Sequence, residues 1–179
     1  MYKVGIIGPE STGKSTLARY LAKRYQGLYV PEYAREFVEQ KGTTEVTWDE
    51  LCGIAHHQIE EMRSYSEAVF EHGGLPVAVR IEQGLSSLSE AVVFFDTELI
   101  VTKVWFDYAF GRVPEWLEEA VKEYPMDVYL LTYPDTPWVP DQARSNGSDE
   151  IRMELFNRYE REIQATDVPY YIIKHDLKI

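Results

Sequence analysis

One stretch near the start of the chain, Gly8-Pro9-Glu10-Ser11-Thr12-Gly13-Lys14-Ser15-Thr16, constrains the fold more than any other. It matches G-x-x-x-x-G-K-[S/T], a phosphate-binding loop. The backbone N–H groups of such a loop cradle the phosphates of a nucleoside triphosphate. Lys14 brings a point charge to the outer phosphates, and the Ser15 hydroxyl is a Mg²⁺ ligand. Glycines at 8 and 13 let the backbone turn sharply and approach the anion closely. The flanks fit. Tyr2-Lys3-Val4-Gly5-Ile6-Ile7 is an apolar run of strand length, and Leu17, Ala18, Leu21 and Ala22 recur at helical spacing after the loop. Strand, loop and helix in that order aim a helix N-terminus at the bound anion. Gly8, Glu10, Ser11, Thr12, Gly13, Lys14, Ser15 and Thr16 are therefore the expected nucleotide-binding set.

The chain has 179 residues, which suits one domain with a real core. Its net charge is −12, and no Lys/Arg-rich run is present, so nucleic acid is not an expected partner. Cys52 is the only cysteine, which excludes an internal disulfide and a cysteine-based zinc site. No apolar run has the length of a bilayer span, so no membrane partner is expected. The first strand opens at about residue 2 with no signal peptide ahead of it, and a cytoplasmic enzyme is the expectation. Nothing in the sequence speaks for a particular oligomeric state.

Strands and helices then alternate. Leu28-Tyr29-Val30 reads as a second strand closed by Pro31, with a helix starting near Glu32. Thr47-Trp48-Asp49-Glu50 reads as a capping box. Its helix carries Leu51, Ile54, Ala55, Ile59, Met62 and Val69 on one stripe. Adjacent His56 and His57 point to different faces of that helix, a poor arrangement for a metal. Residues 72–90 read as a surface insertion, with 77–81 a candidate edge strand. Ala91–Phe95 is a continuous apolar run ending in Asp96, the pattern of a central strand buried on both faces. A helix from Glu98 to about Phe110 is apolar nearly all round, hence buried. Pro114 opens another helix, expected at its first position. Asp127–Thr132 is a fourth strand. Residues 133–147, rich in proline and polar residues and holding Asp135, Trp138, Asp141 and Arg144, have the character of a lid over a nucleotide. Ser148 caps the next helix, and Tyr170–Ile173 is a fifth strand. The expected fold is α/β: a five-stranded parallel sheet with helices on both faces.

In open sheets of this kind ligands bind at the carboxyl ends of strands. Glu32, Tyr33 and Arg35 fall at one such end, and Asp96 and Glu98 at another. A carboxylate like Asp96 is the usual Mg²⁺-linked group of phosphate-loop enzymes. It also suits capping of the following helix. Trp105 belongs to the core first, with stacking on a substrate as a second role.

Four stretches together resemble the ribosylnicotinamide (nicotinamide riboside) kinase family of phosphate-loop kinases: residues 8–15, Glu32-Tyr33-Ala34-Arg35-Glu36-Phe37-Val38, Asp96-Thr97-Glu98 with Thr102, and Trp138-Val139-Pro140-Asp141 through Arg144 to Gly147. The resemblance implies ATP and Mg²⁺ as cofactors and transfer of the γ-phosphoryl group to a nucleoside 5′-hydroxyl. It also implies that Asp96, Glu32 and Arg35 face the substrate and that Arg144 belongs to the lid. Members active on the riboside carry a stacking aromatic where this chain has Pro31; Tyr33 and Trp105 are the candidate replacements. Lys14, Asp96, Glu32 and Arg144 form the catalytic set, with Asp96 and Glu32 rival bases. Ser15 and Asp96 are the metal candidates. The substrate set is Glu32, Tyr33, Arg35, Asp96, Glu98 and Trp105. A GTPase would need an Asn-Lys-x-Asp run, which is absent. A kinase for another nucleoside, or a non-catalytic ATP-binding regulator, are the alternatives.

Overall fold

The computed structural model describes residues 1–67, 92–140 and 147–175. The expected insertion at 72–90, with its strand at 77–81, and Arg144 and Asp141 lie outside the described residues. Within them the elements run β1 (Tyr2–Ile7), α1 (Lys14–Arg24), β2 (Leu28–Val30), α2 (Tyr33–Lys41), α3 (Trp48–Glu67), β3 (Val92–Asp96), α4 (Leu99–Phe110), α5 (Glu115–Glu123), β4 (Val128–Thr132), α6 (Asp149–Gln164) and β5 (Tyr170–Ile173). The five strands form one parallel sheet in the order β2-β3-β1-β4-β5. The phosphate-loop strand is thus central, and the carboxyl ends of β2, β1 and β3 lie together.

Alternation along each strand builds two apolar layers. Val4 and Ile6 of β1, Phe94 of β3 and Val128 of β4 meet Ala18 and Ala22 of α1 on one face. Ile7, Val93, Phe95, Tyr129 and Leu131 point to the other face, under α3, α4, α5 and α6. Phe95 and Phe106 are 1% and 0% exposed, and burial of each such side chain contributes roughly 2–3 kcal/mol. α4 is buried at Leu99–Thr102, Val104 and Phe106 and packs against both α3 and α6, while Asp107 and Ala109 near its end are exposed, so the all-round burial expected of it holds only for its first half. Gln58 is buried on the inner stripe of α3, where it accepts a 2.6 Å bond from the Thr102 hydroxyl of α4.

The helix starts carry the expected chemistry in most places. Thr47 and Glu50 cap α3 reciprocally: the Thr47 N–H donates to Glu50 Oε2 at 2.8 Å, and the Glu50 N–H donates to Thr47 Oγ1 at 3.3 Å. The Ile151 N–H donates to Ser148 Oγ at 3.2 Å. Pro114 sits one residue earlier than expected. Its extended backbone (φ −63°, ψ 135°) makes it the cap residue of α5, and its carbonyl accepts from Leu117 and Glu118.

α4 is capped by Glu98, not by Asp96. Glu98 is 2% exposed, and its Oε1 accepts from the Ile100 N–H at 3.0 Å. Burial pushes this carboxyl up to about 8, against the pull of the Ile100 and Leu99 N–H groups. A folded value above the unfolded one means that the native state holds the proton more tightly. Stability is then greatest at acid pH and declines as pH rises from about 4.5 towards 8. Glu98→Gln keeps a carbonyl acceptor for the cap and removes the charge. The variant is expected to come close to the parent near pH 5 and to exceed it at about pH 8 by on the order of 4 kcal/mol. Thermal melts at the two pH values check this; parallel pH dependence in both proteins would show that Glu98 does not titrate.

Candidate functional site

A cavity of about 270 Å³ opens at the carboxyl ends of β1, β2 and β3. One end is the loop from Gly8 to Thr16; the other runs between α2, α3 and α4 to Val38, Leu51, Ile54, Val101, Trp105 and Phe110. Leu155 and Tyr159 of α6 complete the wall.

The loop is braced from behind. Gly8 has φ 149°, and a Cβ there would stand 2.2 Å from Thr132 Oγ1 and 2.7 Å from the Thr132 carbonyl oxygen. Thr12 is buried, its hydroxyl donating to the Pro9 carbonyl at 2.8 Å and sharing a 2.6 Å bond with the Thr132 hydroxyl. Thr12 thus shapes the loop from inside. Gly13 is left-handed (φ 76°), and α1 begins at Lys14 with no side-chain cap and no acidic residue in its first turn. An uncapped helix start with a positive end is what a phosphate requires. Lys14 Nζ donates to the Pro9 carbonyl at 2.8 Å, folded back across the loop.

The acceptor-side residues divide. Glu32 occupies the N-cap position of α2, its side chain lining the cavity. Burial raises its pKa; Lys14 and Arg35 pull it back and Asp96 pushes it further up, so these four charged groups lie within electrostatic reach of one another. Arg35 lines the cavity too and pairs with Glu39 at 2.9 Å. Asp96 is 1% exposed and sits just behind the cavity wall; the Tyr29 hydroxyl donates to its Oδ2 at 3.0 Å, while Oδ1 has no hydrogen-bond partner among the described residues. Trp105 lines the apolar end.

Two of the expected substrate residues lie outside the cavity wall. Tyr33 is not part of the cavity wall: its ring stacks on His57 at 3.6 Å between centroids, which fixes α2 on α3. Glu98 is turned into the start of α4 and is likewise absent from the wall. His56 stacks on Trp116 at 4.3 Å, so both histidines serve packing. Pro31 is exposed and outside the wall, which leaves Trp105, Phe110 and Tyr159 as the cavity's aromatic surfaces.

Thr97 escaped the sequence reading as a site residue. It lines the cavity with φ 75°, a strained conformation for a β-branched residue, and its buried hydroxyl, beside Glu32, makes no well-formed hydrogen bond among the described residues. Its place in Asp96-Thr97-Glu98 was the available signal. Residues 136–139, in the expected lid, lie against the loop. The Thr136 hydroxyl donates to the Ser11 carbonyl, the Val139 N–H donates to Ser11 Oγ at 3.0 Å, and Trp138 Nε1 donates to Glu10 Oε2 at 3.2 Å. Among the described residues no cluster of three or more His, Cys, Asp or Glu side chains forms a metal site by itself. Among the described residues no helix is long and apolar enough to cross a membrane.

Fold and loop define a phosphate-loop kinase fold. The chain belongs to the AAA domain family, whose model matches residues 3–178. It is 26% identical over 174 residues to the trifunctional NAD biosynthesis/regulator protein NadR of Escherichia coli (strain K12), covering 97% of this chain and 38% of that protein. The chain thus spans well under half of this relative. Among solved structures it resembles a NadR protein in complex with NR (TM-score 0.71, 23% identity, 99% of this chain and 46% of the other) and a NadR protein in complex with NAD and AMP-PNP (TM-score 0.64, 22% identity, 96% and 44%).

Gly8→Ala tests the brace. Overlap with Thr132 and the strained φ together are expected to cost about 3 kcal/mol. Gly13→Ala, whose Cβ would meet only the His175 ring, nearest at Nε2 (3.1 Å), should cost about 1 kcal/mol. Urea unfolding of both variants measures the difference; equal losses would mean that Thr132 yields.

Proposed function

We propose that the chain is an ATP-dependent kinase working as one domain, and that its acceptor is a nucleoside, nicotinamide riboside foremost. The observation that carries this reading is the juxtaposition of two carboxylates, Glu32 and Asp96, with Lys14 at the mouth of an apolar cavity. The acceptor oxygen forms its bond to the γ-phosphorus as the bond to the β–γ bridging oxygen breaks. The hydroxyl proton passes to a carboxylate, and ADP leaves with the electron pair. Lys14 exchanges the Pro9 carbonyl for the outer phosphates.

Of the two rival bases, Glu32 lines the cavity, and burial raises its pKa, which makes it a stronger proton acceptor than an ordinary carboxylate. Asp96 lies deeper, with one oxygen unpartnered among the described residues, and suits the water shell of a metal. Mg²⁺ binds through one or two carboxylates and substrate phosphates and keeps several waters. The donor set of Ser15 and Asp96 fits that habit; the ion would neutralise charge on the transferred group.

Three features support the acceptor. Sequence relatedness to NadR runs the length of the chain, and a NadR protein has been solved with NR. Trp105 and Phe110 face an apolar pocket with Glu32 at its mouth, a combination that suits a cationic pyridinium ring. A monophosphate acceptor would want several arginines, whereas the described wall offers Arg35, already paired with Glu39.

An acceptor screen with ATP and Mg²⁺, detecting ADP, tests the reading. ADP release that no nucleoside stimulates would point to the binding regulator instead. Glu32→Gln is expected to lower kcat by about 10²-fold and to erase the fall in rate on the acid side, since a base fails once protonated. Asp96→Asn is expected to keep that acid limb and to shift the Mg²⁺ requirement upward. If Asp96→Asn erases the limb and Glu32→Gln leaves it, the roles are exchanged. Trp105→Ala should raise the KM for nicotinamide riboside about tenfold, the worth of one desolvated cation–π contact, with the KM for ATP unchanged. An unchanged riboside KM would remove Trp105 from the acceptor pocket.

A further inference from the structure

Thr97 combines two unfavourable features that no interaction among the described residues offsets. Its φ of 75° lies in the left-handed region, where a β-branched side chain crowds its own backbone. Glycine or asparagine would take that conformation with far less strain. Thr97 is also buried, at 6% exposure, and its Oγ1 makes no well-formed hydrogen bond among the described residues. A buried hydroxyl without a partner has lost its bond to water and gained none. The backbone accounts for the turn by itself. The Thr97 N–H donates to the Ile6 carbonyl at 3.0 Å and ties the end of β3 to the end of β1, a bond that needs no particular side chain. On either side, Asp96 is held by the Tyr29 hydroxyl and Glu98 by the Ile100 N–H. The threonine side chain is left without a role in the fold.

Its surroundings indicate what the hydroxyl serves. Thr97 lines the cavity together with Glu32, Lys14 and Trp105. Burial raises the Glu32 pKa, and the Thr97 hydroxyl is near enough to draw it back down. Asp96, next in the chain, is within electrostatic reach of the same carboxyl. Two carboxylates repel a further anion, so a phosphate oxygen is the less favoured partner for Oγ1 at this point. A neutral hydroxyl brings no charge and can both donate and accept.

We propose that Thr97 is an acceptor-binding residue, whose hydroxyl donates to the oxygen that receives the phosphoryl group while that oxygen donates its own proton to Glu32. The inference rests on the kinase reading, with nicotinamide riboside as acceptor and Glu32 as base. A hydroxyl oxygen has four directions: its carbon, its proton and two lone pairs. With the proton on Glu32 and one lone pair on Thr97, the remaining lone pair has a fixed aim. Through that pair the oxygen bonds to the γ-phosphorus as the bond to the β–γ bridging oxygen breaks. The proton passes to Glu32, and ADP leaves with the electrons of the broken bond. Thr97 itself neither gains nor loses a proton. A β-branched side chain has few χ1 settings, so the hydroxyl is held before the acceptor arrives and little freedom is lost on binding.

The test compares Thr97→Val, Thr97→Ser and Thr97→Gly with the unaltered chain. The measurements are initial rates with nicotinamide riboside, ATP and Mg²⁺, calorimetric titration with AMP-PNP, and thermal melts without ligand. Valine keeps the shape and the β-branching and removes the hydroxyl alone. For Thr97→Val, kcat/KM for the riboside is expected to fall about tenfold or more, with AMP-PNP affinity changed less than about threefold. Its melting temperature is expected to hold or rise, since a buried group without a partner gives way to a methyl. Thr97→Ser is expected to keep kcat/KM within about threefold of the unaltered chain. Activity lost while stability holds is what a hydroxyl serving only the fold would not give. A Thr97→Val that keeps kcat/KM within about twofold overturns the assignment. So does a lowered melting temperature, which would show the hydroxyl bonded within the protein. A tenfold loss of AMP-PNP affinity overturns it too and places the hydroxyl on a phosphate oxygen. Should Thr97→Val not fold, Thr97→Gly decides, because glycine takes the left-handed backbone without strain. Unaltered riboside kinetics in that variant sink the proposal, and a loss that Thr97→Ser does not share supports it. An unaltered chain that transfers nothing to nicotinamide riboside overturns the acceptor reading and this inference together. Transfer by the unaltered chain that Thr97→Val matches overturns this inference alone.

Discussion

The closeness of Gly8 to Thr132 is the constraint on which the rest of the site depends. β1 and β4 are neighbours in register through Val4–Ile7 and Val128–Leu131, and at their carboxyl ends the chain must turn out of the sheet. It turns with Gly8 pressed on the backbone of Thr132, while the Thr132 hydroxyl reaches both the Thr12 hydroxyl and the Ile7 carbonyl. Two threonines and a missing side chain thus fix the curvature of the loop. Once that curvature is set, the start of α1 is bare, Lys14 lies over the loop, and Glu32 and Asp96 arrive from the neighbouring strand ends.

Charge is distributed to match. The chain as a whole is strongly acidic, yet the loop presents backbone N–H groups and a lysine. The carboxylates near it sit where water is scarce, and burial raises Glu32 in pKa while Lys14 restrains it. The deeper cavity is lined by Val38, Leu51, Ile54 and Val101, so the polar chemistry is confined to one end.

Much of this was legible in the sequence because the signals were local or periodic. The phosphate loop announced itself through its glycines and Lys14. β3 was recognisable as an unbroken apolar run, and α3 by its capping box. What stayed hidden depends on which of two adjacent residues turns inward. Glu98 and Asp96 are two apart at one strand end, and only the left-handed turn at Thr97 decides that Glu98 caps α4. Tyr33 sits within the stretch that carries the family resemblance, yet the spacing of α2 against α3 gives its ring to His57. Arg152 interrupts the face of α6 that also carries Leu155 and Tyr159. A charged residue on an apolar face was a visible anomaly whose meaning needed the loop beside it.

The clasp between residues 136–139 and Ser11 gives the phosphate loop a mechanical linkage. Ser11 is engaged from both sides: its hydroxyl accepts from the Val139 N–H and donates to the Val139 carbonyl at 3.3 Å, and its own carbonyl accepts from Thr136. Farther along the chain, α6 holds the next loop carbonyl, that of Glu10, through Arg152. The carbonyls of Glu10 and Ser11, adjacent in the loop, are therefore held by two separate parts of the chain. A rearrangement of the loop has to carry Thr136 and Arg152 with it or break their bonds.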